Sequence, residues 1–89
     1  MSAKQIRSRE EIEGWLAREI AEVIGVPEQE VERQRNILEL GVGSRTIVRL
    51  SGRLAKWLGI KLPPTILFEY PTVEELAAHL SGEGTGETP

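Results

Sequence analysis

Nowhere in the 89 residues do apolar and polar side chains alternate over a strand's length, whereas apolar residues return every three or four positions in separate stretches. A chain with no period of two and repeated periods near 3.6 buries its apolar surface by packing helices together. The first stretch, Ile12, Trp15, Leu16, Ile20, Val23 and Ile24, predicts a helix over residues 9–24. Ser8 and Glu11 stand at capping-box spacing before it, Gly25 suits a left-handed C-cap, and Pro27 forbids continuation. A second helix is expected from Ser44 to Leu58, flanked by Gly41 and Gly43 and closed by Gly59. Val48, Leu54, Ala55 and Leu58 mark its apolar face, with Ile47 and Leu50 widening it. Pro63-Pro64 opens a single turn through Phe68. Thr72 with Glu75 then caps a last helix whose inward residues are Val73, Leu76, Ala77 and Leu80. The expected fold is all-α, a small antiparallel bundle of three main helices plus one short helix, forming one domain over residues 9–80. Residues 1–8 and 81–89 read as flexible linkers.

The connection at 26–43 carries Val31, Ile37 and Leu38 as isolated apolar anchors, with Leu40 near its end. A connection of that length in so small a domain is either held down by such anchors or functional. Composition narrows the chemistry. The chain has no cysteine, which excludes disulfides, thiolate nucleophiles and thiolate-bound metals, and the single histidine, His79, leaves no second imidazole for a zinc site. His79 reads as a surface residue without a catalytic role, and no acid, base and nucleophile form an enzyme's constellation. No apolar run approaches the ~20 residues of a membrane helix. The first residues lack the apolar core of a signal peptide, so the expected setting is cytoplasmic and free of membrane. Trp15 is expected in the core and Trp57, one position off the Leu54–Leu58 seam, partly exposed. Ile66, Phe68 and Tyr70 are expected to pack the short turn onto the bundle.

Charge is unevenly spread beneath a net charge of −3. Residues 44–62 hold Arg45, Arg49, Arg53, Lys56 and Lys61 with no acidic residue, whereas residues 63–89 hold five Glu and no Lys or Arg. At 100° per residue, Arg45, Arg49, Arg53 and Lys56 fall within about 80° of helical arc, one basic stripe beside Ser44. Such a stripe is either a solvated face or a docking surface, and its lack of i,i+4 acidic partners favours docking. Overall acidity and the absence of a nucleic-acid-binding motif argue against nucleic acid.

Within Leu40-Gly41-Val42-Gly43-Ser44-Arg45, a serine opens a helix after a glycine-rich turn. Its hydroxyl is either an N-cap or a group carrying a phosphate at a helix start, where anions are favoured. Two further segments follow in order, Leu58-Gly59-Ile60-Lys61-Leu62-Pro63 and Phe68-Glu69-Tyr70-Pro71-Thr72, before Val73-Glu74-Glu75-Leu76-Ala77-Ala78-His79-Leu80. Together, from about Ile12 to Leu80, these resemble the acyl carrier protein domains of polyketide synthases. The resemblance implies an acyl-carrier-like bundle that receives a 4′-phosphopantetheine arm from coenzyme A on Ser44 and tethers acyl or polyketide intermediates to it as thioesters. It also implies a phosphopantetheinyl transferase, an acyl-loading enzyme (a fatty acyl-AMP ligase or an acyltransferase) and a ketosynthase or other synthase domains as partners. The isolated domain is expected to be monomeric. Residues of the short turn and of the second helix would border the place where an acyl chain rests. Gly43 replaces the family's aspartate, associated with transferase recognition, and Arg45 replaces a large apolar residue. The Gly-Ser-Arg variant, with the run from Leu50 to Gly59, is similar to carriers loaded by a fatty acyl-AMP ligase. Carriers of fatty acid synthesis present an acidic second helix, so a basic one here would need partners with acidic docking patches. The rival reading is a carrier-like interaction module that is never modified.

Overall fold

A computed structural model describes residues 7–81. The expected linkers at 1–6 and 82–89 lie outside the described residues. The elements run α1 (Arg9–Ile24), a 3-10 turn (Glu28–Glu30), α2 (Ser44–Leu58), α3 (Ile66–Glu69) and α4 (Val73–Ser81), with no strand among the described residues. The all-α expectation holds. Ser81 belongs to α4 rather than to a tail, and its hydroxyl donates to the Ala78 carbonyl at 3.1 Å.

α1 begins where Ser8 Oγ accepts the Glu11 N–H and Glu11 Oε1 accepts the Ser8 N–H, both at 3.1 Å. It ends at Gly25, whose φ of 78° is the left-handed conformation glycine adopts at least cost. Ile12, Leu16 and Ile20 supply its buried row, Ala17 and Ala21 widen it, and Val23 is exposed. α1 packs against α4, which contributes Val73, Leu76 and Ala77 to the core. Each large aliphatic side chain so buried contributes about 1.5–3 kcal/mol of hydrophobic free energy.

Of the two readings left open for the long connection, the structure shows it held down by apolar anchors, though by a partly different set of residues. Val31, Ile37 and Val42 are buried, whereas Leu38 stands 47% exposed. Backbone bonds add to the apolar anchors. The Ile37 N–H donates to the Pro71 carbonyl at 2.9 Å, and the Glu74 N–H donates to the Arg33 carbonyl at 3.0 Å. The second bond satisfies a first-turn N–H of α4 that has no partner within its own helix. Glu13 accepts from Arg9 Nε at 2.9 Å and from an Arg33 guanidinium nitrogen at 3.2 Å, which joins the connection to α1.

α2 buries Ile47, Leu50, Ser51 and Leu54, with Ser51 Oγ donating to the Ile47 carbonyl at 3.0 Å. Val48, expected on the apolar face, is exposed. At 100° per residue it lies about 110° from the centre of the buried arc, so only a neighbour on that side would cover it. In α3 the buried pair is Ile66 and Leu67, and Phe68 points outward. Tyr70 is half-buried and stacks on His79 with ring centroids 4.2 Å apart. Trp15 is half-buried rather than in the core. It stacks on the equally half-buried Trp57 at 5.1 Å, and the Arg7 guanidinium lies 4.5 Å from the Trp57 ring centre.

Candidate attachment site

The turn before α2 is built to deliver the start of that helix. Asn36 Oδ1 accepts the Leu38 N–H at 2.9 Å, folding the chain back on itself. The N–H groups of Leu40 and Val42 then donate to the Ile37 carbonyl, and that of Gly41 to the Leu38 carbonyl. Gly41 sits at φ 102°, where a side chain would be strained, and the turn it permits drives Val42 into the core. Position 43 therefore emerges at the surface directly after a buried anchor.

The N-cap of α2 is Gly43, not Ser44. Gly43 is extended (φ −76°, ψ 162°), makes no side-chain cap, and accepts the Ile47 N–H on its carbonyl at 2.9 Å. Ser44 is thus the first helical residue, exposed, and its hydroxyl has no hydrogen bond among the described residues. The other described serines are already engaged: Ser8 caps α1, Ser51 is buried against Ile47, and Ser81 bonds to Ala78. Uncommitted oxygen, exposure and a helix start coincide at Ser44 alone among them.

The surroundings are electropositive. The helix start carries unpaired N–H groups and a partial positive charge. No acidic residue lies in the first turn of α2. Arg45, Arg49, Arg53 and Lys56 are all exposed, centred about 155° from the buried arc, so the stripe exists as one outward face. Its members differ in one respect. Arg53 pairs with Glu19 of α1 at 2.8 Å, whereas Arg45, Arg49 and Lys56 form no ion pair among the described residues. The stripe holds no i,i+4 acid, as its sequence indicates, but at Arg53 a compensating acid comes from another helix. Val48, exposed one turn along from Ser44, adds an apolar element beside the stripe.

Around the position a Cβ would take on Gly43, nothing lies within 4 Å. Open space, a free hydroxyl that can form the ester, and unpaired N–H and guanidinium groups that can donate to its phosphate oxygens together suit a phosphate ester. Residues 14–80 match the family described as "Phosphopantetheine attachment site". The chain belongs to that family. It is 38% identical over 81 residues, 91% of its length, to a component of the phenolphthiocerol/phthiocerol polyketide synthase of Mycobacterium tuberculosis. It is 53% identical over 57 residues, 64% of its length, to the spectinabilin polyketide synthase system protein NorA′ of Streptomyces orinoci. It spans only 4% and 2% of those relatives' lengths. Among solved structures it resembles an acyl carrier protein from Anabaena with a variant phosphopantetheinylation-site sequence. That likeness has a TM-score of 0.79 and 33% identity, covering 91% of this chain and 92% of that one. The domain is a non-catalytic carrier of 4′-phosphopantetheine with the acyl-carrier fold. No helix among the described residues is long and apolar enough to cross a membrane.

Proposed function

We propose that Ser44 is the attachment residue and that the domain serves a polyketide synthase, carrying acyl intermediates between its catalytic domains. The observation that carries this reading is the free, exposed Ser44 hydroxyl at a helix start, inside the stretch 14–80 that matches the family. Attachment joins Ser44 Oγ to the phosphorus of the pantetheine half of coenzyme A, with the adenosine 3′,5′-bisphosphate half leaving and the serine proton lost to base. When bound, the arm supplies a thiol, the nucleophile that the cysteine-free chain lacks. The chain's own part is mechanical: it fixes the arm's root on a rigid helix and raises the effective concentration of the cargo at partner sites.

The partners fitting this chemistry are a phosphopantetheinyl transferase, a fatty acyl-AMP ligase or acyltransferase that loads the thiol, and a ketosynthase. Arg49 and Lys56, free and exposed on the outward face of α2, suit a partner with an acidic docking patch, and Val48 gives that patch an apolar contact. Nothing in the fold favours an unmodified module, since the Ser44 hydroxyl is neither buried nor used as a cap. The test is incubation with coenzyme A and a broad-specificity transferase, followed by peptide mass spectrometry. The pantetheine group should be ejected from the peptide holding Ser44, and its recovery from another peptide would refute the assignment.

A further inference from the structure

Resting on Ser44 as the attachment residue, we propose that Arg45 binds the phosphodiester at the root of the arm, anchoring it to the start of α2. Arg45 adjoins Ser44, is exposed, and forms no ion pair among the described residues, in contrast to Arg53 on Glu19. Its side chain leaves the helix tilted towards the N-terminal end, where Ser44 stands. A guanidinium offers two parallel N–H donors that match phosphate oxygens, a fit an ammonium lacks. No neighbouring carboxylate on α2 competes for it, because the first turn holds no acidic residue and position 43 is glycine in open space.

Gly43 and Arg45 therefore act as a pair. An aspartate at 43 would set a second negative charge beside the phosphodiester, whereas glycine leaves Arg45 as the nearest charged side chain in the sequence. Arg49 is the internal comparison. It shares the charge, the exposure and the absence of an ion pair, but lies one further turn, about 6 Å, along the axis. Two duties thus divide along the stripe: Arg45 serves the arm, and Arg49 with Lys56 faces the partner.

Nuclear magnetic resonance on the apo and holo proteins tests this without any loaded enzyme. Intact mass first establishes attachment, and a missing increment would overturn the Ser44 reading and this one together. In holo protein of confirmed mass, the Arg45 Nε–Hε resonance should differ from its apo position at about 0.01 M salt. It should return towards that position at about 1 M, where screening is strong. The Arg49 resonance should not move. The phosphorus resonance of holo Arg45→Ala should depart from wild type, and that of holo Arg49→Ala should superpose on it. Coincident Arg45 resonances in apo and holo protein would overturn the contact alone, as would equal phosphorus shifts in both variants. Should Arg45→Ala resist loading, the wild-type comparison still decides.

Discussion

A glycine at position 43, not the serine after it, caps α2, and that shift of one residue leaves the Ser44 hydroxyl free. Ser44→Ala therefore removes no capping bond and should change stability by no more than about 0.5 kcal/mol, as for other exposed positions. Urea unfolding checks this, and a loss of about 1–2 kcal/mol, the cost of a deleted cap, would show that the hydroxyl caps the helix in solution. Gly43 has an ordinary extended conformation with empty space around it, so Gly43→Asp should fold without strain. A carboxylate there would gain about 0.3–1 kcal/mol from the helix start. If the family aspartate aids recognition, loading by a generic transferase should also quicken. Equal loading rates would show the departure to be silent for the transferase. The sequence narrowed Ser44 to two roles, cap or attachment residue. The choice needed the backbone, because Gly43 and Ser44 are both good caps on paper.

Among the elements, Gly41 is the residue on which the placement of α2 turns. At φ 102° an added Cβ is strained, so Gly41→Ala should destabilise the domain by about 1–3 kcal/mol in urea unfolding. An unchanged midpoint would show that the turn has an alternative backbone path. Helix ends were legible in the sequence because their signals are local: Ser8 with Glu11, then Gly25, and Gly59 after Leu58. Which face each helix buries was only partly legible. Val48 and Ile47 both keep helical spacing, and only the position of the neighbours decides that Ile47 is buried and Val48 exposed. The same holds for Leu67 against Phe68, and for Val42 against Leu38. Each pair differs by a residue or a few in register, and that register is set by contacts distant in the chain.

For the whole molecule, the basic face of α2 was visible as a charge pattern, but its internal division was not. An i,i+4 count sees acids on the same helix, and Glu19 reaches Arg53 from α1. Docking is therefore better tested away from Arg53, where a glutamate would face Glu19. In holo protein, the Arg49→Glu, Lys56→Glu double variant should accept acyl groups from the proposed loading enzyme, ligase or acyltransferase, several-fold more slowly at low salt. The two proteins should converge as salt rises, since attraction between exposed charges acts over a Debye length of about 8–10 Å near physiological ionic strength. Equal rates at low salt would make the face a solvated one. The central claim, that Ser44 carries the arm, is tested most directly by the intact mass of wild type and Ser44→Ala after incubation with coenzyme A and a broad-specificity transferase. Wild type should gain one phosphopantetheine increment and Ser44→Ala none, with equal helical circular dichroism. A wild-type protein that gains nothing, or a Ser44→Ala protein that still gains the increment, would contradict it.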